Sequence, residues 1–215
     1  MDGEQTHGLD PRASPAAGAV AALLRTALGA NLEAVYVHGS AVLGGYLPAV
    51  SDLDVLAVSG GPLSDTEIDA ICSGLAGLPL PAKGLEMSVL TRAEAASPDL
   101  ERPRYQVHVA LASDGALRRV DGLSGAGDRD LVLHLAVCRA ASHAVIGLPP
   151  ASTLGAIPRA AIRGAMAGEI AWASEAGRLA YLVLTAARAC AHVRAHRPPG
   201  LESRGGRGRA GRVGR

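Results

Sequence analysis

Hydrophobic and polar positions change period along this chain, and the changes mark out its elements. From Pro15 to Leu28 an alanine-rich run carries Val20, Leu23, Leu24 and Leu28 near helical spacing, and Gly29 is placed to end the helix. Leu32 to Val37 reads as a strand and Asp52 to Val58 as a second. Between them only a short helical turn over Ala41 to Leu43 fits, because Gly44-Gly45 and Pro48 interrupt it. Ser64 followed three residues on by Glu67 is a helix-start pattern, so Thr66 to Leu75 is expected to be helical; Pro79 and Pro81 then return the chain to a third strand, Leu85 to Leu90. Pro103 to Leu111 alternates as a further strand. Asp128 to Gly147 reads as one helix, capped at its start and stopped by Gly147 and Pro149-Pro150. Beyond that proline pair the pattern predicts helices alone, Ile157 to Trp172 and Gly177 to Ala195, the second with Leu179, Leu182, Val183 and Ala186 on one stripe. The order predicts an α/β (α+β) domain over residues 16–150 and a short α-helical domain over 151–196, with residues 1–15 polar and disordered.

The chemistry concentrates between Val35 and Val58. Asp52 and Asp54 stand at the i, i+2 spacing that puts both carboxylates on one face of a strand. Two acids that close repel each other, and in a strand otherwise as apolar as Val55 to Val58 they are costly without a counter-charge. Mg²⁺ supplies one, since it takes hard oxygens, typically one or two carboxylates plus phosphate oxygens. The competing reading is a hairpin with two solvated acids and a glycine-rich turn. Gly39-Ser40 offers the other half of a site: a small residue lets backbone approach a ligand, and exposed N–H groups with the Ser40 hydroxyl can hold phosphate oxygens. Glu86 is the odd residue of the third strand, which pattern alone allows to be an edge residue facing water.

Composition narrows the classes. The chain has 215 residues and 48% hydrophobic composition, enough for a real core in one large or two small domains. Its net charge is +1, but residues 192–215 carry seven arginines against Glu202, which leaves the residues before them at −5. An acidic body disfavours nucleic acid as a partner and suits a cationic small molecule. Cys72, Cys138 and Cys190 are widely spaced and form no Cys-x-x-Cys pair, so neither a disulfide framework nor a zinc site is expected. No signal peptide and no membrane-spanning run is legible, and a soluble, monomeric, cytoplasmic protein is expected. No Gly-Lys-Ser/Thr follows a glycine-rich loop, which excludes Walker-type ATP hydrolysis.

Gly39-Ser40 followed by Asp52-x-Asp54 resembles the nucleotidyltransferase superfamily. The longer stretch Gly39-Ser-Ala-Val-Leu-Gly-Gly-Tyr-Leu-Pro-Ala-Val-Ser-Asp-Leu-Asp54 is similar to the aminoglycoside adenylyltransferases that modify streptomycin and spectinomycin. The resemblance implies a nucleotidyltransferase domain with a mixed sheet, a helical domain after it, and Mg²⁺-dependent transfer of AMP from ATP to a hydroxyl of a cationic antibiotic. It implies Asp52, Asp54 and Glu86 as metal ligands, with Glu86 also the candidate general base. Gly39, Ser40, Ser51, Asp130 and Arg188 are implied on the nucleotide side. Glu169, Trp172 and Glu175 are implied on the antibiotic side, although Trp172 equally fits a core position. His108 reads as structural. His192 and His196 stand at i, i+4 without an evident third metal ligand.

The resemblance covers roughly residues 18–195 and then stops. The family continues with a Ser-Lys helix start whose lysine reaches the nucleotide phosphates; here residues 197–215 are an Arg/Gly-rich run that cannot pack. An RNA-binding tail and an altered reading of the C-terminus both account for it. The second implies impaired activity, and Lys83, the sole lysine, reads as lying on the wrong side of the motif to compensate. The alternatives to antibiotic modification are nucleotidylation of another acceptor, a protein or metabolite, and a degenerate nucleotidyltransferase domain that only binds.

Overall fold

The computed structural model describes residues 8–179 apart from 79, 81, 123, 124 and 126, together with 183 and 186. Arg188, His192, His196, most of the expected last helix and the 197–215 tail lie outside the described residues. The chain divides into two compact units, Met1–Gly168 and Glu169–Arg215.

The first unit is built on a six-stranded sheet of order β5-β4-β3-β2-β1-β6, with β1 Leu32–His38, β2 Asp52–Ser59, β3 Gly84–Thr91, β4 Val107–Ala112, β5 Leu117–Asp121 and β6 His143–Ile146. β2 and β3 run parallel, joined by the crossover helix α3 (Asp65–Ala76); every other neighbouring pair is antiparallel. The expected mixed sheet is therefore found.

Side-chain alternation sorts the strands onto two cores. Val35, Val37, Leu53, Val55, Ala57, Leu85, Met87, Val89, Val107, Val109 and Leu111 belong to one core, together with helices α1 (Ser14–Leu28) and α3 (Asp65–Ala76). α1 contributes the buried stripe Val20, Leu24 and Leu28 and ends at Gly29, at φ 52°; α3 contributes Ile68, Ile71 and Leu75 behind a Ser64–Glu67 capping box. Each such side chain, fully buried, contributes about 1.5–3 kcal/mol. The opposite face carries Ala34, Tyr36, Leu56, Val58 and Leu90. These pack with Ala95 of the short helix α4 (Arg92–Ala96) and with Leu131, Leu135 and Cys138 of α5 (Leu131–Ala140).

Three expectations are corrected. The helix expected to reach Gly147 stops at Ala140, and His143–Ile146 instead pairs with β1, whose free edge offers unpaired backbone groups that a helix would leave bare. β5 and α4 are not legible in the sequence because a five-residue strand with two adjacent arginines and a five-residue helix show no clear period. Within the N-terminal stretch expected to be loose, residues 8–15 are held: the Asp10 N–H donates to the Ala41 carbonyl at 2.8 Å and Ala13 is fully buried.

The chain after β6 is tied to the sheet by Tyr36, whose buried hydroxyl donates to the Leu148 carbonyl at 2.9 Å and lies 2.8 Å from Thr153 Oγ1. Tyr36→Phe is expected to cost about 1 kcal/mol, read as a lower urea midpoint at unchanged slope; a midpoint equal to wild type would mean that this tie contributes nothing.

Candidate active site

The strand register assembles a row of side chains across the face that carries α5. His38 of β1 pairs with Asp54 of β2, Asp54 with Glu86 of β3, Glu86 with Ala110 of β4, and Ala110 with Arg118 of β5. Adjacent strands lie about 4.8 Å apart, so Asp54 and Glu86 are direct neighbours. Asp52 occupies the next position of the same face, one step nearer the strand's start, opposite Gly84. A second row, one step deeper, sets Ser88 beside His108, with Ser88 Oγ 3.0 Å from His108 Nδ1. His108 is thereby committed, and burial lowers its pKa.

Both aspartates sit against glycine backbone. A Cβ on Gly39 would collide with Asp54 Oδ2, and Gly39 holds φ 67°, a conformation closed to other residues. A Cβ on Gly84 would lie 2.8 Å from Asp52 Oδ1 and 2.8 Å from the Leu111 carbonyl oxygen. The two cradles bring polar backbone close to the carboxylates, and this suits oxygen-rich ligation of Mg²⁺ by Asp52 and Asp54 together with phosphate oxygens. Among the described residues, no three His, Cys, Asp or Glu side chains gather closely enough to hold an ion by themselves. Asp52 is displaced along the strand from the Asp54–Glu86 pair and faces a glycine rather than a third acid.

Ser40 opens the four-residue helix α2 (Ser40–Leu43) directly after Gly39. Ser51 closes the connection: its hydroxyl accepts the Leu47 N–H at 3.1 Å, and its own N–H donates to the Leu47 carbonyl at 2.7 Å. Leu43, Leu47 and Val50 in this connection are exposed. Asp130 precedes α5 without capping it. Its backbone N–H donates to Asp128 Oδ1 at 3.0 Å, and its carboxylate Oδ2 lies 3.1 Å from His134 Nε2 one turn on.

His134 and His38 were not weighed from sequence, and the structure puts them at the centre. Their rings meet edge to face, centroids 5.3 Å apart. Burial works against a charge on His134, but its hydrogen bond to Asp130 and the fields of Asp130, Asp54 and Glu86 outweigh it and raise its pKa to about 9. Burial, with the neighbouring His134 charge, depresses His38 to about 3. At neutral pH one ring is an imidazolium balancing the acids and the other is neutral. The i, i+4 spacing of Asp130 and His134 was the available signal; nothing local links His134 to Asp54.

Glu169, Trp172 and Glu175 belong to the second unit. There Trp172 is 48% exposed, so it is not a core residue, and the Arg178 guanidinium stands 5.7 Å over its ring. Leu179 and Val183 are exposed.

No protein-family model and no curated protein matches the chain. Among solved structures it is similar to spectinomycin adenyltransferase AAD(9) from Enterococcus faecialis, determined with ATP and spectinomycin. The TM-score is 0.57 and the identity 21%, over 71% of this chain and 63% of that one. The chain thus spans less than two thirds of that protein's length, and the likeness establishes a shared fold. No helix among the described residues is long and apolar enough to cross a membrane.

Two outcomes are expected from this geometry. Gly39→Ala should cost about 1–3 kcal/mol for the forbidden backbone conformation alone, measured by urea unfolding; an unchanged midpoint would remove the cradle from consideration. The histidines set a pH profile for the metal-free protein. The raised His134 contributes stability that is fully present below its unfolded value of 6.5 and is lost as pH rises towards about 9. The depressed His38 contributes stability that is present above 6.5 and is lost as pH falls towards about 3. Unfolding free energy should therefore peak near neutrality, and His134→Gln should flatten the alkaline limb while the acid limb persists in weaker form, because burial is the larger cause of the His38 depression; an alkaline limb unchanged in that variant would refute the assignment.

Proposed function

We propose that this chain is a Mg²⁺-dependent nucleotidyltransferase that transfers AMP from ATP to a hydroxyl of an aminoglycoside or aminocyclitol antibiotic of the streptomycin or spectinomycin class and releases pyrophosphate. The observation that carries the reading is the pairing of Asp54 with Glu86 on adjacent parallel strands, with Asp52 one step along the same face. The similarity to an adenyltransferase fold determined with ATP and spectinomycin supports it, as does the acidic balance of the residues before the tail.

In this reading Asp52 and Asp54 hold Mg²⁺, which when bound neutralises phosphate charge and orients the α-phosphate for in-line attack. The backbone at Gly39-Ser40 and the Ser51 turn receive the phosphates. Glu86, beside Asp54, takes the proton of the acceptor hydroxyl as that oxygen bonds to phosphorus, work that a carboxylate within hydrogen-bond reach performs. Asp130 works through His134, whose charge offsets the acids. Arg188, Glu169, Trp172 and Glu175 remain proposed contacts, the first to nucleotide and the others to a cationic acceptor, on a helical domain following residue 150.

One observation favours a different acceptor. Arg118 closes the row beyond Glu86 and Ala110, so an acceptor lying along that row meets a guanidinium. That charge suits a metabolite or protein carrying an anionic group better than a polycation.

The test is pyrophosphate release from Mg²⁺-ATP by the purified chain against a panel of streptomycin, spectinomycin and anionic hydroxy compounds. Release that depends on one acceptor is expected, falling at least about 100-fold in Asp52→Ala, Asp54→Ala and Glu86→Gln. Release that survives all three substitutions would sink the assignment, and release only with an anionic acceptor would replace the antibiotic by the second class.

A further inference from the structure

Lys83 is the chain's only lysine. Strict alternation from Glu86 and Gly84 would send its side chain to the opposite face of the sheet. Instead the long side chain turns round the end of β3, and its ammonium stands 3.7 Å from Asp52 Oδ2. Its backbone is pinned at that end of the sheet, where the Lys83 N–H donates to the Ser51 carbonyl at 3.2 Å and the Lys83 carbonyl accepts from the Ser113 N–H at 3.0 Å. The anchor is fixed and the side chain is free: Lys83 is 59% exposed and Asp52 35%. An exposed pair of this kind is held weakly and is screened by salt, so the ammonium can exchange Asp52 for a more strongly charged partner at little cost.

We propose that Lys83 is a polyphosphate-binding residue, which leaves Asp52 when a metal-bound nucleoside triphosphate arrives and takes an oxygen of its terminal phosphates. The proposal rests on the nucleotidyltransferase reading above. Any oxygen that shares a cation with Asp52 is a neighbour of the carboxylate Lys83 already touches, so a change of side-chain rotamer suffices for the transfer. A lysine is suited to the role, being a compact point charge with three donors that needs no planar partner. The same ammonium offsets one acid of the site while no nucleotide is bound, and its release costs no buried contact.

The test uses the full chain and isothermal titration calorimetry with three probes in the presence of Mg²⁺: ATP, inorganic pyrophosphate and AMP. Lys83→Ala is expected to weaken ATP and pyrophosphate by a common factor of about tenfold and to leave AMP unchanged, with Lys83→Arg close to wild type. Because the residue is exposed, both variants should unfold at the wild-type midpoint. Equal affinities of wild type and Lys83→Ala for ATP and pyrophosphate, with Asp52→Ala abolishing both, would overturn the role of Lys83 and leave the nucleotidyltransferase reading standing. Tighter ATP and pyrophosphate binding in Lys83→Ala would overturn it too, making the lysine a competitor of the metal. Failure of the wild-type chain to bind Mg²⁺-ATP would remove both proposals together.

Discussion

Two carboxylates held one strand apart repel, and the first unit is arranged around that repulsion. Asp54 and Glu86 are neighbours because β2 and β3 pair in parallel, and they pair in parallel because α3 carries the chain back across the sheet. The energy that enforces this lies on the other face. There Leu53, Val55, Leu85, Met87 and Val89 are buried with α1 and α3, and a one-residue slip in either strand would turn that whole set away from the two helices. The apolar core thus sets the separation of two acids that would otherwise move apart.

The acids are accommodated by what surrounds them. His134, charged and fixed by Asp130, offsets Asp54 and Glu86 from α5; Lys83 offsets Asp52 from the sheet's end; Gly39 and Gly84 remove the side chains that would crowd the two aspartates. His38 completes the arrangement by staying neutral, since burial and the adjacent imidazolium both oppose its protonation. Positive groups thus stand beside the acids at both ends of the cluster.

The row that contains the acids continues past them. Glu86 is followed across the sheet by the small Ala110 and then by Arg118. The order along this row is therefore acid, small residue, guanidinium. A guanidinium at the end of the row favours an anionic over a polycationic group beside it.

The sequence by itself determined the local elements with a clear period, including α1, α3 and the first three strands. It also determined that Asp52 and Asp54 share a face, because this follows from spacing within one strand. Only the tertiary structure decided that Gly39 takes a backbone open only to glycine, that Glu86 stands opposite Asp54, that His134 lies in the field of both, and that Lys83 turns back to Asp52. Periodicity says which face a residue takes and nothing about which strand lies beside it; that neighbour is chosen by the burial of the opposite face. The same reason explains β6, where a segment able to continue a helix became a strand because β1 had an unpaired edge to offer.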